Sequence, residues 1–193
     1  MPGGRPRAFD AETALDRALE VFWQQGYEGT SLSDLTAAMD INRPSLYAAF
    51  GNKEQLFRTV LDRYFAGPGA FAVEALEAPT ARDVVERLVH GAVELTTGPH
   101  TPHGCLSVNS VHACGPDSDP VRQEVIARRM AGEAALRRRF EQAADLPADC
   151  DPRVLAQLVY TVTDGIAVQA ASGHTRDRLH RVAGLALRML FPL

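Results

Sequence analysis

The chain has 193 residues, the scale of one domain or two small ones. Apolar residues make up 46% and charged residues 23%, so a core can be buried and wholesale disorder is excluded. A net charge of −4 excludes a protein coated in positive charge, yet leaves room for a small DNA-reading surface with its own basic side chains.

The periodicity is helical almost throughout, and the expected fold class is all-α. Ala11, Ala14, Leu15, Ala18, Leu19 and Phe22 recur at three- and four-residue steps, on one helix face. Asp10 is its N-cap and Gly26 its stop. Ser31 caps a short second helix with Leu32, Leu35, Ala38 and Met39. Asn42 caps a third, with Pro44 in the first turn, where proline is tolerated. That helix carries Leu46, Tyr47 and Phe50 and stops at Gly51. Asn52 caps a fourth, with a broad stripe from Leu56 to Phe65.

Gly67-Pro68-Gly69 then reads as a seam between a head, residues 1–66, and a larger helical body, residues 67–193. Thr80 caps a long helix, a short apolar segment covers 105–113, and another long helix with an Arg-rich outer face covers about 120–144. The last two helices, about 152–171 and 175–190, are apolar over more than one face. One side can meet the core, and the other needs a partner, which points to a homodimer.

Three cysteines exclude a disulfide framework as the main source of stability. No apolar run approaches the roughly 18 residues of a membrane span. The N-terminus leads into a charged amphipathic stretch rather than a secretory signal. The expectation is a cytoplasmic chain with no membrane partner.

The stretch 30–53 carries the function. Two short helices joined by about three residues, with a longer helix on each side, make a helix-turn-helix unit. Leu35, Ala38, Met39, Ile41, Leu46 and Phe50 form its expected inner face. In such units the second helix enters the major groove with its N-terminal residues at base edges. Arg43 stands where that geometry wants a donor for guanine O6 and N7. Ser45 faces outward beside it, and the Tyr47 hydroxyl can reach a phosphate. Lys53, the chain's one lysine, offers an ammonium and helix-terminal N–H groups to another. Arg5 and Arg7 form a short arm. Residues 1–66 hold seven basic and nine acidic side chains, a net of −2. Non-specific affinity for DNA is therefore expected to be weak, and binding to depend on a few placed contacts doubled by the dimer.

Gly26-Tyr27-Glu28-Gly29-Thr30-Ser31, followed by Ser45-Leu46-Tyr47 and Phe50-Gly51-Asn52-Lys53-Glu54-Gln55-Leu56, resembles the tetracycline-repressor (TetR/AcrR) family of bacterial transcription regulators. The match covers about 9–65, and Gly104-Cys105-Leu106 resembles one branch of that family. The resemblance implies an all-helical homodimer with a DNA-reading three-helix head and a ligand-responsive body. It implies phosphate contacts from Thr30, Ser31, Tyr47 and Lys53. Many members carry a histidine just before the Phe of the third helix. Ala49 stands there, which throws more of the backbone grip onto Tyr47 and Lys53.

The partners so implied are operator DNA, a small-molecule effector and a second copy. Repression is the family's usual mode. The expected effector is small and largely apolar, and the candidate lining is Leu88, Leu95, Cys105, Val108, His112, Met130, Leu158 and Val162. An alternative is sensing of metal or thiol oxidation. His100, His103, Cys105, His112 and Cys114 fall within fifteen residues, and imidazole and thiolate suit Zn or Cu. Helical geometry opposes most pairs. Cys105 and Cys114 would lie about 900° apart, on opposite faces, and Cys105 and His112 roughly 10 Å apart along the axis. Only His100 and His103 with Cys105 survive as a set. Cys105 as a small buried apolar residue at a helix start is the commoner case, and no metal and no resident cofactor is expected. No P-loop, dinucleotide fingerprint, His-Glu-x-x-His or nucleophile elbow is present, and an enzyme is not expected.

Overall fold

A computed structural model describes residues 9–99, 101–112, 119–146 and 149–191. Among these residues every regular element is helical. The first helix, α1 (Ala11–Gly29), starts at Asp10, whose carboxylate accepts the Glu12 N–H at 3.0 Å. Glycine interrupts it where expected. Gly26 sits at φ 72° and ψ 173°, a region essentially confined to glycine that costs other residues about 1–3 kcal/mol.

The next two helices are short and depend on their ends. In α2 (Leu32–Met39) a capping box joins Ser31 and Asp34, each side chain taking the other's backbone N–H. The helix closes with two reverse bonds, Asp40 N–H to the Ala37 carbonyl and Ile41 N–H to that of Thr36, with Asp40 at φ 55°. Three residues later α3 (Arg43–Phe50) begins on Asn42, whose side-chain oxygen accepts the Ser45 N–H at 2.9 Å. Gly51 ends it at φ 73°. A Cβ there would stand 1.9 Å from Gln55 Oε1, the atom that caps α4 (Lys53–Ala66) by accepting the Asn52 N–H. Any side chain at 51 would break that cap.

Leu15, Leu19, Phe22, Leu35, Leu46, Leu56, Phe57 and Leu61 fill the head. Their cluster does not end at residue 66. Leu106, Val121 and Val125 are buried in it, so the head is packed directly on two body helices, α7 (Leu106–His112) and α8 (Asp119–Glu141). The Gly67-Pro68-Gly69 break is folded back rather than open. Gly67 and Gly69 donate N–H groups to the Arg63 and Tyr64 carbonyls, and Gly69 is buried. A short helix, α5 (Phe71–Glu74), and a 3₁₀ turn (Ala75–Glu77) follow, neither of them foreseen from the sequence.

The body is built around α6 (Ala81–Thr97), α9 (Pro152–Ala171) and α10 (Arg176–Leu190), each packed on the other two. Thr80 caps α6 as predicted, and both Asp145 oxygens accept the Ala81 N–H. Val85, Val89, Leu155, Val159, Ile166, Ala183 and Leu187 form the core. Burying each large side chain contributes about 1.5–3 kcal/mol. The two-sided character of the last helices persists in three dimensions: Val154, Leu158 and Val168 of α9 and Val182, Leu185 and Met189 of α10 are exposed. By length and mean hydropathy α9 would suffice to cross a membrane, a property the run-length criterion did not flag. It packs instead against α6, α8 and α10.

Candidate nucleic-acid interface and effector cavity

The helix-turn-helix presents an outward face at the start of α3. Arg43 is exposed and donates from Nη2 to Ser33 Oγ at 3.0 Å, a bond that parks the guanidinium across α2. Ser45 is half-buried and its N–H is committed to the cap. Tyr47 is 48% exposed. Lys53 Nζ lies 4.4 Å from the centroid of the Tyr27 ring, a cation–π contact that steadies the ammonium at the head of α4. Ser31 is exposed at the start of α2. Hydrogen bonds from its side chain and backbone hold the Asp34 carboxyl below its usual pKa of 3.8.

Thr30 departs from expectation. It is 1% exposed, and its hydroxyl donates to the Gly26 carbonyl at 2.7 Å. That bond commits the Thr30 hydroxyl within the head of the DNA-free chain. Arg5 and Arg7 lie outside the described residues.

Trp23, near the end of α1, is buried at 3% exposure, and its indole donates to the Gly104 carbonyl at 2.9 Å, 81 residues away. Its ring meets Tyr64 edge-on, with centroids 5.0 Å apart. Tyr64, on α4, places its hydroxyl 3.1 Å from Cys105 Sγ. These contacts join head and body at one point. Burial, the largest influence, pushes the Tyr64 phenol well above its ordinary pKa.

Beside this joint lies a mostly apolar cavity of about 440 Å³, walled by α4, α5, α6, α7, α8 and α9. That volume is within the roughly 300–1,000 Å³ of small-molecule sites. Leu88, Leu95, Cys105 and Val108 stand on its wall. Three other expected positions do not. Met130 is 67% exposed and belongs to an outer depression between α8 and α9, because the helix turns it away from the cavity. Leu158 lies on the exposed face of α9, and Val162 packs on the body's core. The His112 side chain lies outside the described residues.

The wall also holds residues that sequence reasoning missed. Tyr64 and Phe65 come from α4, Phe71 from α5, and Tyr160 and Asp164 from α9. Asp164 is ion-paired with Arg129 of α8. Tyr160 lies over Gly132, where a Cβ would meet its hydroxyl at 2.2 Å, and burial pushes its pKa up to about 12. The signal available was a tyrosine and an acid inside otherwise apolar stretches. Among the described residues no group of three His, Cys, Asp or Glu side chains is placed to hold a metal ion. His103 is exposed, and His100 and Cys114 lie outside the described residues.

Residues 14–60, covering α1 to the middle of α4, match the model of bacterial regulatory proteins of the tetR family. The HTH-type transcriptional repressor ComR of Escherichia coli (strain K12) is 34% identical over 191 residues, spanning 96% of this chain and 91% of ComR. The chain belongs to the TetR family. BdcR, another HTH-type transcriptional repressor of the same organism, is 30% identical over 95% of this chain and 90% of its own length. A cysteine-substituted form of the TetR family regulator CifR, solved with a 26 bp operator duplex, is 44% identical over 95% of this chain and 98% of that one, with a TM-score of 0.90. The TetR head of this chain is thus a DNA-binding unit, and its helical body follows the same family architecture.

Proposed function

We propose that the chain is a cytoplasmic transcriptional repressor that binds a palindromic operator as a homodimer and is released by a small, largely apolar effector. Arg43 reads a base edge, with Ser45 beside it, while Tyr47, Lys53 and Ser31 grip phosphates. The exposed apolar faces of α9 and α10 meet the same faces of a second copy. ComR and BdcR carry the name of repressor, and CifR was solved on operator DNA, which supports this reading.

The carrying observation is that Tyr64 and Phe65, at the end of α4, form part of the cavity wall. The helix that follows the recognition helix is therefore in contact with whatever fills the body. Two recognition helices must sit roughly 34–36 Å apart to enter successive major grooves. An effector that fits only when α4 is displaced moves the heads out of that register. Effector and operator must then weaken each other by the same factor. A thiol-triggered release is supported by one observation, the place of Cys105 on the cavity wall. The other described cysteine, Cys150, packs elsewhere, on the body's core.

The test is footprinting on the intergenic DNA beside the chain's own gene. Two protected half-sites about one helical turn apart are expected. Protection no stronger than on random duplex would refute the proposal.

A further inference from the structure

The charges in the cavity wall are matched. Three ionised side chains line it: Arg128, Arg129 and Asp164. Arg129 and Asp164 are paired with each other, their side chains 19% and 37% exposed. Arg128 turns outward, to Asp62 at 2.7 Å and Glu124 at 2.9 Å. The two phenols of the wall, Tyr64 and Tyr160, stay neutral because burial opposes their ionisation.

The polar atoms are few and mostly committed. Thr96 donates to the Ala92 carbonyl and Thr163 to that of Tyr160. What remains is the Tyr160 hydroxyl, over Gly132, and one short line at the start of α7. Tyr64 Oη lies 3.1 Å from Cys105 Sγ, which lies 3.2 Å from Ser107 Oγ, which in turn accepts from Arg129 Nη1 at 3.4 Å. This line has hydrogen-bonding capacity and no net charge.

A carboxylate ligand would compete with Asp164 for Arg129 and bring a second negative charge beside it. Displacing Asp164 would strand a half-buried acid, a cost that offsets the gain from the new pair. An ammonium would strand Arg129 in the same way. A neutral molecule disturbs neither and still gains from the apolar wall.

We propose that the cavity selects an uncharged, mostly apolar molecule with one hydrogen-bonding group seated at the Tyr64–Cys105–Ser107 line, and discriminates against its carboxylate and ammonium analogues. The proposal rests on the reading of this cavity as the effector site. It predicts that Asp164, on α9 of the body, sets the charge specificity of the repressor.

The experiment is displacement of the neutral fluorophore N-phenyl-1-naphthylamine from the full chain by octan-1-ol, octanoate and octylammonium at neutral pH. Octan-1-ol should displace it at least tenfold more effectively than either charged analogue. Asp164→Asn, which leaves Arg129 unmatched, should improve octanoate at least tenfold relative to octan-1-ol. Ala92→Trp, which projects an indole from α6 into the cavity, should abolish displacement while the chain keeps its helical circular-dichroism signal and a cooperative unfolding transition. Octanoate or octylammonium equal to the alcohol, or an unchanged ranking in Asp164→Asn, overturns the charge argument alone. Displacement that survives Ala92→Trp places the alcohol outside the cavity. That result removes the effector-site reading, and the proposal with it.

Discussion

Replacing Trp23 with Phe tests the joint between head and body. The substitution removes the indole N–H and leaves the buried Gly104 carbonyl without its 2.9 Å partner. A stranded buried acceptor costs about 1–3 kcal/mol. Shrinking indole to phenyl adds about 1 kcal/mol, a fraction of the roughly 3–5 kcal/mol for truncation to alanine. The edge-on contact with Tyr64 at 5.0 Å is retained by a phenyl ring. The sum is about 2–4 kcal/mol, against a total of about 5–15 kcal/mol for an ordinary domain, so the variant should fold. At about 2–4 °C per kcal/mol, Tm should fall by about 4–16 °C. The measurement is urea unfolding followed by circular dichroism, because Trp23 is the chain's one tryptophan and its fluorescence is lost with it. The midpoint should fall at unchanged slope, since the surface exposed on unfolding is the same. A loss below about 0.5 kcal/mol, the range of ordinary surface substitutions, would refute the argument that this bond ties the two units together.

Three further outcomes are expected. Arg43→Ala should cost about 1–3 kcal/mol per half-site at the cognate operator and relax base preference at one position, whereas Lys53→Ala should weaken all sequences alike and reduce the salt slope by about one; competition binding over a salt series separates the two roles. Leu185→Glu, on the exposed face of α10, should give a 20.9 kDa monomer by light scattering, while Asp177→Asn at the exposed start of the same helix should leave the dimer intact. Tyr160 should ionise near 12 rather than 10, so the stability it contributes is full below about 10 and lost as pH rises through 12; an ultraviolet titration in which Tyr160→Phe leaves the late step unchanged would contradict this.

The sequence by itself determined the local structure. Asp10, Ser31, Asn42, Asn52 and Thr80 cap the helices they were expected to cap, because a cap is set by residues within a few positions of each other. The turn between α2 and α3 and the exposed face with Arg43 and Tyr47 were legible for the same reason. The apolar faces of α9 and α10 were legible as periodicity. Only the tertiary structure decided the rest. The Thr30 side chain is buried and bonded to the Gly26 carbonyl, a partner set by the break in α1. Trp23 gained a partner 81 residues away, which no spacing rule can reach. The cavity drew Tyr64, Arg129, Tyr160 and Asp164 from three helices and excluded Met130, Leu158 and Val162. Periodicity reports that a helix has an apolar face. Which neighbour that face meets, and whether a space is left between them, depends on how the helices cross, and that is settled by packing among residues distant in the chain.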